Sequence, residues 1–182
     1  MSLLSRHSLS ECHARRGLTL AEAVVSMLIV SVMLVAALNT VGASRTTQKK
    51  TADRSRGFLL AENLMSEILQ QAYEAPDLAP GSFGLEGAEV GDGSRNLWDD
   101  VDDYDGWSAS PPQQKDGTEL GEFQGWTRSA EVRWVNPAVL LSVSGTDTGV
   151  KRVVVTVTDG ATVVVSLVAI RTDALQFVPE FD

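Results

Sequence analysis

The chain has 182 residues, with 15 Lys+Arg against 24 Asp+Glu and a formal net charge of −9. That length suits one ordinary domain with an appendage, and the acidic balance argues against a nucleic-acid partner, which needs a basic face to displace counterions. The single cysteine, Cys12, excludes a disulfide framework, and the two histidines, His7 and His13, lie beside it before residue 14. If residues 1–17 are removed, Ser–His, Cys–His and His-ligated zinc chemistry leave with them. A net +2 also goes (Arg6, Arg15 and Arg16 against Glu11), so 165 residues remain with side chains summing to −11.

Residues 18–43 carry one charge, Glu22, and residues 23–38 carry none. A membrane-spanning helix needs about 20 mainly apolar residues, so the run is long enough. Arg15 and Arg16 precede it, and Arg45, Lys49, Lys50, Arg54 and Arg56 follow it. Both flanks are basic, so the charge rule alone leaves the orientation open. Glu22 is the odd residue: a carboxylate inside an apolar segment costs roughly 2–3 kcal/mol on insertion scales. Such a group either faces headgroups at the interface or has a function.

The sequence Arg15-Arg16-Gly17-Leu18-Thr19-Leu20-Ala21-Glu22, followed by the apolar run, resembles the class III signal of type IV prepilins and type II secretion pseudopilins. The resemblance is specific over residues 15–42. It implies a leader at 1–17, cleavage by a prepilin peptidase between Gly17 and Leu18, and N-methylation of Leu18. It places the family's assembly glutamate on Glu22. Leucine stands where the family usually has phenylalanine, and the leader is longer than many. Physical chemistry makes the glutamate's role intelligible. Cleavage frees an α-amine at the helix start, and a carboxylate four residues on can neutralise it, on its own subunit or a neighbour, most strongly in low dielectric. A secretory signal peptide is the competing pattern, with Val41-Gly42-Ala43 as its cut. The apolar run exceeds the usual h-region of about 7–15 residues and holds Glu22 inside it.

The next segment, residues 43–75, is rich in helix formers. Phe58, Ala61, Leu64, Met65, Ile68 and Ala72 recur every three or four residues as an amphipathic stripe. The pattern predicts a helix from about Leu18 through Tyr73, ended by Pro76 and Pro80, with Gly42 and Gly57 as weak points. Its first half, residues 18–42, wants lipid or other helices, and its second half wants a sheet.

Residues 77–124 read as a loop rich in Gly, Pro, Ser and Asp. Inside it five carboxylates fall within seven residues: Asp99, Asp100, Asp102, Asp103 and Asp105. Such a run suggests calcium, but setting Gly106 at the sixth position of an EF-hand loop puts Val101 first and Pro112 twelfth, so that motif fails. The bland reading is a solvated acidic surface excursion; a calcium site of another kind is the alternative. Beyond the loop, residues 125–136, 150–158 and 161–171 predict strands, the last two joined at Asp159-Gly160 by a two-residue hairpin. Trp126 and Trp134 are expected to pack on the sheet.

These elements predict an α+β fold, a long N-terminal helix whose second half packs on a small antiparallel sheet in a head spanning 76–182. That order is similar to the pilin architecture. Residues 78–182 hold 7 basic and 17 acidic side chains, so the acid is concentrated in the head. Ala61-Glu62-Asn63-Leu64-Met65 resembles the I/V class of minor subunits. The resemblance implies a minor pilin or pseudopilin, a non-enzymatic single-pass protein of the bacterial inner membrane with a cytoplasmic leader and a periplasmic head. Its partners would be other pilins through the helix, the prepilin peptidase, the assembly platform and membrane lipid, with no cofactor unless calcium. The different-class alternative is a tethered or secreted calcium- or ligand-binding β domain that uses the apolar segment only for export.

Overall fold

The computed structural model describes residues 19–76, 81–91 and 93–175. The chain divides into two units, Met1–Gln48 and Lys49–Asp182. One helix, α1 (Leu20–Leu69), contributes to both.

In the first unit every described residue is exposed. The helix is long and apolar enough to cross a membrane, and its most apolar window has none of its residues buried. The hydroxyls along it are satisfied internally: Ser26 donates to the Glu22 carbonyl and Ser31 to that of Met27, both at 2.7 Å, and Thr40 to that of Ala36 at 2.9 Å. Such back-bonding removes the cost of carrying a hydroxyl into an apolar medium.

In the second unit α1 lies against an antiparallel sheet. The strands are β1 (Ser108–Ala109), β2 (Trp126–Asn136), β3 (Val139–Val143), β4 (Val150–Asp159) and β5 (Thr162–Thr172). Their order is β1-β2-β4-β5, with β3 pairing the far end of β2. The period-2 pattern of β4 turns Lys151, Val153, Val155 and Val157 inward. The three valines share a core with Leu60, Ala61, Leu64, Met65 and Ile68 of α1, and with Ala130 and Val132 of β2. The α+β layout expected from the sequence is therefore present. The strand bounds agree within a residue, and Gly160 at φ +55 makes the expected hairpin turn.

Four expectations need correction. First, α1 ends at Leu69, not Tyr73. The chain leaves the helix because Ala72 bridges to the acidic segment: its N–H donates to the Asp99 carbonyl, and its own carbonyl accepts from Val101 N–H, both at 3.1 Å. Second, Phe58 is exposed, and Gly57 and Leu60 take the buried positions instead. Third, Gly57 is a close approach and not a weak point. A Cβ there would stand 2.7 Å from Val164 Cγ1. Val164 projects to that spot because the β4–β5 register shifts beside it: Thr158 pairs with Val163 but Val157 with Val165. Fourth, the sequence reading omitted β1 and β3. The latter folds back from β2 through Pro137 and Ala138, with Asn136 Oδ1 accepting Ala138 N–H at 2.8 Å, and lies wholly exposed.

Candidate functional site

Two regions bear on function, the start of α1 and the acidic segment. Gly17 and Leu18 lie outside the described residues. Thr19 heads the helix: its carbonyl accepts Ala23 N–H at 3.1 Å and its Oγ1 accepts Glu22 N–H at 3.3 Å. Glu22 thus occupies the third helical position, where exposed amides and the helix dipole favour a carboxylate. The Thr-x-x-Glu spacing is that of a capping box, so Glu22 has a local reason to be there besides any intersubunit one. Its exposed position leaves the carboxylate accessible to other groups.

The acidic segment is not a solvated excursion. Asp100, Asp102 and Asp103 are 2%, 0% and 1% exposed, among Trp98, Val101 and Tyr104 of the core. Trp98 and Tyr104 stack edge-on at 4.8 Å, and Tyr104 Oη donates to Glu67 Oε1 of α1 at 3.0 Å. Each buried carboxylate has an assigned task. Asp102 forms an ion pair with Lys151 of β4, both side chains fully buried, and its Oδ2 accepts Gly84 N–H at 2.9 Å. Lys151 Nζ also donates to the Tyr73 carbonyl and lies 4.3 Å from the Tyr73 ring centroid. Asp105 pairs with Arg133 and accepts Val132 N–H at 3.0 Å. Asp100 Oδ1 accepts the N–H groups of Asp102 and Asp103 at 2.7 and 3.3 Å. Asp103 Oδ2 accepts those of Asp99 and Asp100, each at 3.0 Å. The backbone of the turn is thus held by its own side chains.

The five carboxylates named from the sequence therefore separate. Asp99, Asp100 and Asp103 each offer an oxygen within 4.8 Å of the others, whereas Asp102 and Asp105 are engaged by basic side chains. Sequence reasoning missed Glu86 and Glu89, which form a second such group with Asp103. Their i, i+3 spacing around a Gly-rich turn was the available signal. Electrostatics reflects the crowding. Burial, with Asp102 next, pushes Asp100 up to about 8. Burial also pushes Asp103 up to about 7, opposed by the Asp100 N–H and reinforced by Glu89. Glu86 is raised too, by burial and then by Glu89.

A second buried network ties the segment to α1. Arg95, 1% exposed, donates to both oxygens of Glu67 at 2.9 and 3.2 Å and stacks 4.1 Å from the Trp107 centroid. Arg128 of β2 donates to the Leu60 carbonyl at 3.1 Å and to the Gln113 carbonyl, and burial lowers it to about 10. Lys151 and Arg128 were findable, because alternation along β4 and β2 places both on core faces, and a buried cation requires acceptors. Trp126 packs in the core as expected, and half-buried Trp134 meets Phe83 at 4.7 Å. Comparison with protein-family models, with curated proteins and with solved structures yields no match to this chain.

Proposed function

We propose that this chain is a minor pilin or pseudopilin, a structural subunit matured by prepilin peptidase and assembled into a type II secretion pseudopilus or type IV pilus. Its work is assembly, as an initiating or tip component, and not catalysis. The observation that supports this reading most is the two-natured helix. α1 leaves an apolar stretch wholly exposed in the first unit and supplies the core of the sheet in the second. An apolar surface of that kind needs lipid before assembly or neighbouring helices after it. The Arg15–Glu22 pattern adds the processing signal, and the basic residues after the apolar run suit contact with anionic headgroups. On this reading the chain is a single-pass protein of the bacterial inner membrane with its head periplasmic. Its partners are other pilins, the peptidase, the assembly platform and lipid.

N-terminal sequencing of the mature protein tests the proposal. A start at methylated Leu18 supports it; a start at Ser44 or an intact Met1 refutes it. Glu22 is tested with two variants. Glu22→Gln keeps a side chain able to complete the helix cap but removes the charge, whereas Glu22→Ala removes both. If the charge neutralises the new amine, both variants are cleaved normally and both enter fibres poorly. Normal incorporation of Glu22→Gln would leave capping as the residue's only role. The second reading, a tethered or secreted cation-binding domain, is favoured by the carboxylate clusters of the head, and a start at Ser44 would select it.

A further inference from the structure

We propose that Glu86, Glu89 and Asp103 hold a divalent cation of the calcium type, which fastens the loop at 81–91 to the acidic turn at 99–105. This site stands independently of the assembly role. Each of the three residues offers a carboxylate oxygen within 4.8 Å of the other two. Two oxygens on opposite sides of one calcium ion, each bound at about 2.4 Å, lie up to about 4.8 Å apart, so the three oxygens are close enough to share one ion.

Proximity alone would be an ordinary acidic cluster. What distinguishes this one is the unfilled hydrogen-bonding capacity at its centre. Asp103 is 1% exposed, and its Oδ2 is occupied by two backbone N–H donors. Its Oδ1 is buried with no donor, and Glu86 Oε1 is buried with none either. Buried carboxylate oxygens are ordinarily paired, because an unpaired one loses its water and gains nothing. Here two such oxygens, one from each of two residues, belong to the same three-residue cluster. Among the described residues the ion pairs made by the surrounding acids go elsewhere, Lys151 to Asp102 and Arg133 to Asp105, and none reaches Glu86, Glu89 or Asp103.

The positions are also held in place. Glu89 Oε2 accepts Glu86 N–H at 3.0 Å, and Glu86 O accepts Glu89 N–H at 2.9 Å, which closes the turn that brings the two glutamates together. Asp103 is fixed by its two backbone donors. The neighbouring group of Asp99, Asp100 and Asp103 shares Asp103 and adds negative potential on its other side. All the offered ligands are carboxylate oxygens, which suit a hard cation and not zinc or copper, and the irregular loop geometry suits calcium better than octahedral magnesium. The ion would join residues 14 and 17 positions apart in sequence (89 and 86 to 103), across a stretch containing three glycines at positive φ, Gly87, Gly91 and Gly93.

The full chain in detergent micelles, stripped with EDTA, provides the test. Terbium luminescence sensitised through Trp98, which stacks on Tyr104 next to Asp103, reports occupancy, and calcium competes the signal away. Thermal unfolding is followed in parallel. The wild type is expected to bind saturably, with a midpoint rise of about 5 °C or more at saturating calcium. Glu86→Gln/Glu89→Gln is expected to bind at least ten-fold more weakly and to lose the calcium-dependent rise. In EDTA that variant should melt no lower than the wild type, since it relieves repulsion. A merely structural role for the two glutamates predicts the opposite in EDTA. Should the double variant fail to fold, Glu86→Gln alone carries the same expectation at reduced size. Asp116→Asn, at a fully exposed loop position, should bind as the wild type does. Absence of saturable binding, equal calcium response in wild type and glutamine variants, or an equal loss in Asp116→Asn would each overturn the proposal.

Discussion

Lys151→Met tests the role assigned to the buried ion pair. The ammonium and the Asp102 carboxylate are both fully buried, so neither can fall back on water. Methionine keeps a buried unbranched apolar side chain but removes the charge and the ammonium that lies over the Tyr73 ring. Among the described residues Asp102 would keep the Gly84 N–H alone as a hydrogen-bond donor to its carboxylate, and the Tyr73 carbonyl would lose the Lys151 donor. Breaking a buried pair on one side costs about 3–5 kcal/mol, because the remaining charge stays uncompensated. A domain of this size has a total stability of roughly 5–15 kcal/mol, so the variant gives up about a fifth of it or more. The midpoint should fall by roughly 10 °C or more. Asp102→Asn should cost about as much, for the mirror reason. The double variant Lys151→Met/Asp102→Asn buries no lone charge, and should be no less stable than the worse single variant. Tryptophan-monitored denaturant unfolding of the full chain in micelles measures all four corners of the cycle. Additive single losses, or a loss below about 1 kcal/mol for Lys151→Met, would refute the reasoning.

Gly57→Ala should gain about 1 kcal/mol of helix propensity but lose about 1–3 kcal/mol to crowding, since the new Cβ meets Val164 Cγ1 at 2.7 Å and Trp126 Cζ3 at 3.4 Å. The net is destabilising in the wild type, and the sign should reverse in a Val164→Ala background; equal effects in both backgrounds, by the same unfolding assay, would contradict it. Arg95→Lys should cost about 2 kcal/mol despite keeping the charge, because an ammonium cannot make both Glu67 contacts and stack on Trp107 at once. Near-UV circular dichroism of Trp107 should change with it, and an unchanged spectrum at unchanged stability would show the fork to be dispensable.

What the sequence made legible was everything governed by local periodicity. The apolar run, the amphipathic continuation and the β4–β5 hairpin follow from repeats of 3.6 and 2 residues, and they emerge at nearly the expected bounds. The misread part is the acidic segment, and the reason is range. Asp102 is buried because Lys151 lies 49 positions away in sequence, and Asp105 is held by Arg133. Nothing within the segment announces either partner. The same holds for the end of α1, where a bridge to Asp100 overrides a sequence still able to continue as helix. The exposed β3 was invisible for a different reason: five residues, four of them apolar and not alternating, present no period to detect.

The Lys151–Asp102 pair also has a temporal consequence. Ribosomal synthesis delivers α1 first, the aspartates next and β4 only near the end. Until Lys151 emerges, Asp102 has no counter-charge, and the inner faces of β2 and α1 lack the cover of β4. Closing such a distant contact is slow compared with forming a helix, because the loop entropy must be lost before any pairing rewards it. The head should therefore mature in a single late step, leaving an interval in which a nascent chain offers chaperones and proteases an open apolar surface. A stop codon before residue 151 would extend that interval indefinitely.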